Sequence, residues 1–494
     1  MANSGQKNFD VLIIGGGVSG TAIARELSRY RLKVGLLEKE IELAFGVSKS
    51  NSGIIHPGTQ NPPNSLKGKL CVQGNELTRK ISKEIGVHFE EVGELIVIFK
   101  PEDFPQLEKI KSDAEKLGVP GLKIVDRAWL DQHEPNLSKD VHAALYAPTA
   151  GIISPYRWAY DLAENAVKNG VEIFLGHKVV GIKRSSGNLR LNVAVSNSEE
   201  PRGSLAGSER TFQANHVINA AGLFADEIAK MAGVTDVEIK PRKGEEFLLD
   251  KKREHIVNHI IFPLPNPKSK GILVIKTSDG NPMIGPTAED IADKHDLSTS
   301  AAGLNKVLES VKKMVPTISE NDIIAYFAGL RPTAGKDYII RHEDKVPGMI
   351  TVAGIQSPGL TAAPAIALMV ADLLKKNGLK LRKKWFFKKQ RQPTVHLFAI
   401  PWQKTKELIA RDRSYGDIVC RCEMVSAKEV RDAIKRGART LDGIKFRTRA
   451  QAGRCHGGFC TTRIMKILAE ELGVPLTKLT KRGPGSEIVK DERA

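Results

Sequence analysis

Cysteine is scarce in this sequence, with five thiols in 494 residues. A chain of that length buries a sizeable core without covalent help, so a disulfide scaffold is not its organising device. Long apolar runs are missing too. The longest uncharged stretch, Val346 to Ala371, is long enough to span a bilayer, yet Pro347, Pro358, Pro364 and three glycines interrupt it, and Thr351, Gln356, Ser357 and Thr361 make it partly polar. It reads as a buried strand, a loop and a helix, and no transmembrane anchor is expected. The opening residues are polar and enter a strand by Asp10 without a secretory signal, so a reducing cytoplasm is the expected setting. Charge of one sign is absent from most of the chain. The net charge of +18 belongs to residues 375–494, with 30 basic and 12 acidic residues, and leaves 45 of each sign in residues 1–374. What remains is an ordinary globular composition, 41% hydrophobic and 27% charged, which excludes a wholly disordered or collagen-like chain.

The N-terminal segment carries the first motif. Phe9 to Ile14 is an apolar, β-rich run, as in a strand buried on both faces. Gly15-Gly16-Gly17-Val18-Ser19-Gly20 follows, then a helical pattern through Ala22, Ile23, Ala24 and Leu27, then a second strand from Lys33 to Leu37. Gly15 permits the tight turn, Gly17 lets the backbone approach a pyrophosphate, and Gly20 allows close helix–strand packing. The helix N-terminus faces the phosphates. Glu38, 18 residues beyond Gly20, is placed to accept hydrogen bonds from ribose hydroxyls. This βαβ context predicts a bound dinucleotide rather than a merely structural turn; the spacing alone does not choose between NAD and FAD.

Several further segments resemble, in order, the glycine oxidase/D-amino-acid oxidase superfamily, and most of all its flavin-dependent glycerol-3-phosphate dehydrogenases and oxidases and its L-2-hydroxyglutarate dehydrogenases. Ser48 to His56 resembles the loop beside the flavin, and Val217 to Asp226 the second flavin strand and turn. Ala328-Gly329-Leu330-Arg331-Pro332 resembles the substrate-anchoring motif, and Gly354 to Thr361 the closing flavin loop. The resemblance implies FAD as the dinucleotide, with Ser50, Asn51, Gly53, Ala221, Gly222, Gly354, Gln356, Gly359, Leu360 and Thr361 joining Gly15, Gly17, Gly20 and Glu38 around it. It implies an α/β fold. A Rossmann-like FAD-binding part (about 8–80, 150–230 and 325–374) would carry an antiparallel-sheet substrate part (about 81–149 and 231–324), all within residues 1–374. Glu84 to Val97, Val141 to Ile153 and Phe247 to Ile284 supply the β-rich stretches for that sheet, and Ser185 to Ser208 reads as a hairpin with a solvated loop.

Oxidation of a secondary alcohol by a flavin needs a base for the hydroxyl proton and an anchor for the rest of the substrate. His56 is the expected base, since imidazole titrates near neutrality and the resemblance matches it to a catalytic histidine; a histidine that only shapes the flavin loop is the alternative. Arg331 is expected to bind an anionic group through its planar fork, unless it is salt-bridged at a strand end. The resemblance adds Lys270, Ser52 and Ser357 as substrate contacts. Lys270 to Val274 and Asp279 to Thr287 look more like the glycerol-3-phosphate branch, so a phosphorylated alcohol is the expected substrate; Lys276 departs from the pattern and is either another anion contact or a sign of a different substrate. The alternatives are an L-2-hydroxyglutarate or other 2-hydroxy- or amino-acid dehydrogenase and, from another class, an electron-transfer adaptor subunit without its own substrate.

The basic quarter holds the other four cysteines. Cys420-Arg421-Cys422, then 32 residues, then Cys455 to Cys460, gives CxC and CxxxxC pairs that suit zinc or a 2Fe–2S cluster. They resemble the bacterioferritin-associated-ferredoxin-like domain appended to anaerobic glycerol-3-phosphate dehydrogenases, which implies a 2Fe–2S domain over residues 416–494, with helices at Ala427 to Arg436 and Arg463 to Leu472. A cluster beside a flavin carries electrons singly to a quinone, a partner subunit or a carrier. Arg421, Arg447, Arg449 and Arg454 are expected to raise its potential. Cys71 reads as a core thiol. Between the parts, residues 375–415 form a basic linker; Lys375 to Arg413 carries 13 basic and two acidic residues with Trp385, Phe386, Phe387 and Trp402. No nucleic-acid motif accompanies it, which leaves a solvated linker, or a dock for an acidic subunit or a peripheral membrane contact.

Overall fold

The computed structural model describes residues 7–185, 188–195, 209–266, 270–391 and 393–491. Most of the solvated loop expected before Ser208, together with Lys268 and Ser269, lies outside the described residues.

β1 (Lys7–Ile14) is buried from Val11 to Ile14 because it is the centre of a parallel sheet covered on both faces. It pairs parallel with β2 (Val34–Leu37) and with the strand Glu209–Asn219, while α1 (Val18–Leu27) makes the crossover. Glu172–Phe174 extends the sheet parallel to β2, and Met349–Ala353 extends it parallel to Glu209–Asn219. Antiparallel strands complete the eight: Ile339–His342 and the hairpin His177–Ser185/Asn188–Val195. The apolar stripes of α1, Pro155–Lys168 and Gly359–Lys376 share one core, in which Ile23, Leu27, Trp158, Leu162, Ile366 and Val370 are fully or almost fully buried. The uncharged run is thus the strand Met349–Ala353 and the helix Gly359–Lys376, which contains Pro364. No helix among the described residues is long and apolar enough to cross a membrane.

A second sheet of nine strands stands over the first. Its long pair is Lys240–Leu249 against Ile323–Thr333, antiparallel along nearly its whole length. The expectation of a purely antiparallel sheet needs one correction: Ile260–Pro263 runs parallel to Glu94–Ile98. Parallel neighbours need a long connection, and much of the first sheet lies between these two strands in sequence. The β-rich reading from Glu84 also starts too early. α2 (Leu66–Ile85) continues through Glu84, and Gly86, in the left-handed region at φ 72°, ends it.

The C-terminal part has its own core around Val430, Ile434, Leu441, Ile444, Ile464 and Leu468. Besides the two expected helices, Ala427–Lys435 and Thr461–Leu472, it contains a third, Leu441–Thr448. The connecting segment is not a loose linker. Arg391 is buried and ion-paired to Asp161 and Glu164, Asn165 Nδ2 donates to the Lys388 and Lys389 carbonyls, and Trp402–Arg411 is helical. It forms a strap along the body that leaves Trp385 and Phe386 85% and 82% exposed.

Candidate active site and cysteine loops

The two sheets enclose a cavity of about 1220 Å³. At its nucleotide end, Gly15 takes φ 111° and Gly20 stands so close that a Cβ there would sit 1.9 Å from the Gly15 carbonyl oxygen. That contact brings the N-terminus of α1 against the end of β1. Glu38 accepts from the Gly16 and Glu40 backbone N–H groups at 2.6 and 2.8 Å, so its carboxylate is fixed where it lines the cavity. Gly15, Gly17, Ser50, Asn51, Ala221, Gly222, Gln356, Gly359 and Leu360 line it as well. Gly20, Gly53, Gly354 and Thr361 do not; they shape the wall from behind. Thr361 Oγ1, fully buried, accepts from the His56 backbone N–H at 2.9 Å. Ser48 was not singled out in the sequence, although its Oγ accepts from Val18 N–H at 2.9 Å and ties the flavin-type loop to the start of α1.

His56 lies at the inner end of the cavity. Its Nε2 is 3.3 Å from Ser357 Oγ, and its Nδ1 is 4.0 Å from Glu94 Oε2. Burial and then the nearby Lys270 hold the imidazole well below its usual range, so at neutral pH it is uncharged and able to accept a proton. Glu94 is fully buried at the start of Glu94–Ile98 and accepts from Thr59 Oγ1; burial pushes its carboxyl up to about 7. Cys71 is a core thiol whose Sγ donates to the His56 carbonyl, and burial pushes it up to about 12.

The strand pair of the second sheet floors the cavity. Its period of two sends Arg242, Gly244 and Glu246 to the same face, opposite Arg331, Gly329 and Phe327. The two facing glycines are required by close approach. A Cβ on Gly244 would meet Arg331 Nη2 at 2.5 Å, and one on Gly329 would meet the Ser50 carbonyl oxygen at 2.5 Å. Arg331 therefore lies flat over Gly244, donating to the Thr287 carbonyl at 3.1 Å, and forms no ion pair among the described residues. Lys270 is half-buried near His56 and Glu94 without an ion-pair partner among the described residues either, and desolvation lowers its pKa. Ser52, Ser357, Arg331, Lys270 and His56 all line the one cavity. Lys276 does not: its Nζ pairs with Glu90 at 2.9 Å, outside the lining, so it is no anion contact.

The four C-terminal cysteines form two pairs. Cys422 and Cys455 Sγ atoms are 3.6 Å apart, while Cys460 hydrogen-bonds to Cys420. Two thiolates on one tetrahedral metal at about 2.3 Å stand about 3.8 Å apart, which the first pair matches. Among the described residues no three His, Cys, Asp or Glu side chains gather around a single position, as one zinc ion would require. Two pairs suit a binuclear cluster with two cysteines per iron. Backbone N–H groups of Gln451, Glu423, Gly457 and Phe459 point at the sulfurs, and the Cys460 bond draws Cys420 down to about 6.

With this geometry in hand, comparison with known proteins is direct. Residues 10–373 match the family described as FAD dependent oxidoreductase (DAO), and residues 418–470 match the BFD-like [2Fe-2S] binding domain. This chain belongs to the FAD-dependent oxidoreductase family. It binds FAD and carries a 2Fe–2S domain. It is 42% identical over 97% of its length to a glycerol 3-phosphate dehydrogenase of Caloramator mitchellensis, 98% of which is covered. Its similarity to the L-2-hydroxyglutarate dehydrogenase of Nematostella vectensis is 28% identity, over 74% of this chain and 90% of that one. Among solved structures, the dithionite-reduced, FAD-bound L-α-glycerophosphate oxidase of Mycoplasma pneumoniae superposes with a TM-score of 0.72 at 31% identity, covering 79% of this chain and all of that one (100%).

In this oxidoreductase the cysteine domain is docked on the flavin part through buried charges. Glu42, in the loop after β2, pairs with Arg447 at 2.7 Å, and Arg447 stacks over the Tyr160 ring. Arg449 donates to Tyr156 Oη at 3.1 Å and Asn281 Oδ1 at 2.6 Å and faces Glu423 and Asp279. Against its burial, Arg449 and Arg157 hold the Asp279 carboxyl down at about 2. Arg454 pairs with Asp250. Of the four arginines expected to raise the cluster potential, Arg447, Arg449 and Arg454 are ion-paired with carboxylates at the seam.

Proposed function

We propose that this oxidoreductase oxidises sn-glycerol 3-phosphate at C2 to dihydroxyacetone phosphate, with electrons leaving singly by way of the 2Fe–2S domain to a quinone, a partner subunit or another non-oxygen carrier. The observation that carries the reading is the pair Arg331 and Lys270, two half-buried cations without ion-pair partners among the described residues, in the same chamber as a neutral His56. A phosphomonoester dianion supplies the charge that both cations lack, and guanidinium binds it through two parallel bonds. His56 Nε2 takes the C2 hydroxyl proton while the C2 hydrogen departs with its electron pair, so the alcohol loses one proton and one hydride and becomes the ketone. Bound FAD supplies the hydride acceptor. Glu94 behind Nδ1 stabilises the imidazolium as it forms, and the Thr361 hydroxyl keeps the His56 backbone in place. The relative and the structural neighbour named for glycerol 3-phosphate support the same substrate.

The same reading puts the protein in a reducing, cytoplasmic setting. Trp385 and Phe386, exposed among Lys383, Lys384, Lys388 and Lys389, give it a face for an anionic membrane surface.

The test is an anaerobic substrate panel scored by flavin bleaching, run beside an iron assay. Glycerol 3-phosphate should bleach the flavin, with about two irons per flavin. Bleaching by 2-hydroxyglutarate and not by glycerol 3-phosphate would overturn the substrate. A flavin that no member of the panel bleaches would point instead to an adaptor subunit.

A further inference from the structure

The chamber contains a carboxylate that the proposed reaction leaves unused. Glu246 shares the cavity face of its strand with Gly244, the glycine over which the Arg331 side chain lies. It is only 4% exposed. Its Oε1 accepts from Ser52 Oγ at 3.4 Å, and its Oε2 is buried with no hydrogen-bond partner among the described residues. It is not ion-paired with Arg331 despite their proximity. Burial pushes it up to about 7, with the Arg331 charge and the Ser52 bond opposing. A buried acceptor left unsatisfied is costly, and the side chain that carries it lines the chamber.

Resting on the phosphate reading of Arg331 and Lys270, we infer that Glu246 is the specificity-determining residue of the chamber: it accepts a hydrogen bond from the substrate hydroxyl that is not oxidised and excludes a carboxylate at that position. A primary hydroxyl donates to the free oxygen and completes its bonding. A carboxylate there brings like charge against like in a desolvated site, and a methyl group leaves the oxygen unpaired. The polyol monophosphate is thus selected at two points, by cations at its phosphate and by an acid at its far hydroxyl. A 2-hydroxy dicarboxylate satisfies the first and is rejected at the second.

Three substrates of matching C2 configuration test this by anaerobic flavin reduction in the full-length holoenzyme: glycerol 3-phosphate, 1,2-propanediol 1-phosphate with a methyl in place of the hydroxymethyl group, and 3-phosphoglycerate with a carboxylate there. The wild type should lose about 10- to 100-fold in kcat/KM on the methyl compound, the range of a hydrogen bond to a charged group, and should scarcely react with 3-phosphoglycerate. Glu246→Gln should shrink the first ratio and admit 3-phosphoglycerate, with FAD content unchanged. Equal wild-type rates on glycerol 3-phosphate and the methyl compound overturn the inference without any variant, as do unchanged ratios in Glu246→Gln. If glycerol 3-phosphate itself does not reduce the wild-type flavin, the phosphate reading falls and the inference with it; if it does and the ratios are flat, only the inference falls.

Discussion

The chamber and the seam both bury charge, but they treat it in opposite ways. At the seam Arg447 pairs with Glu42 and Arg449 with Glu423 and Asp279, and in the strap Arg391 pairs with Asp161. In the chamber Arg331 and Lys270 have no ion pair among the described residues, and Glu94 and Glu246 each keep one oxygen without a hydrogen bond. Burying an unpaired charge costs several kcal/mol, and it persists where a ligand completes it. Paired burial marks a dock, and unpaired burial marks a binding site.

The largest effect is expected in the chamber. His56→Asn should lower the rate of flavin reduction by substrate about 10²- to 10⁴-fold, the usual share of a positioned base. FAD content should stay as in the wild type; retained activity would remove His56 from its role. The seam should answer in reverse. Glu42→Ala leaves Arg447 buried without its carboxylate, a loss on the order of 3–5 kcal/mol. A lower melting temperature with near-normal flavin bleaching by substrate is the expected result, and an unchanged melting curve would show that the seam does not hold the domains together.

The acids on the two sides should also differ in their pH dependence. Glu94 titrates at about 7 in the fold against an ordinary 4.5, so the stability it contributes is full below about 4.5 and is lost as pH rises through 7, on the order of 3 kcal/mol. Asp279 is held at about 2 against 3.8, so its contribution is present above 3.8 and is lost only as pH falls toward 2. In ligand-free protein, Glu94→Gln should flatten the decline in melting temperature between pH 5 and 7 (roughly, from these shifts) and leave the acid limb alone. A decline unaltered by the variant would place its origin elsewhere.

The glycine fingerprint, the flavin-type loop and the cysteine pairs were legible in the sequence because their chemistry is local. A tight turn, a close approach and a ligand pair each dictate residue type at fixed spacing. The acids were not legible. Nothing local sets Glu42, Glu94 or Glu246 apart from an ordinary loop, strand-start or mid-strand carboxylate, since burial is decided by what packs over them. Glu94 did leave a signal as the one charge opening the apolar run Glu94–Ile98, and Glu246 left another in sharing strand parity with Gly244. The ion pairing of the arginines around the cysteines was illegible for the same reason. Their count and proximity are visible in one dimension, whereas Glu42 and Asp250 come from far upstream to neutralise them.

The loop after β2 has a consequence for assembly. Within eight residues it sets Glu38 at the nucleotide end of the cavity, Glu42 against Arg447, and Phe45 edge-on to Phe446 of the cysteine domain. One short segment thus serves two masters, and ordering either end orders the other. Binding that favours the ordered loop is shared between cofactor and dock by linkage, so each strengthens the other reciprocally.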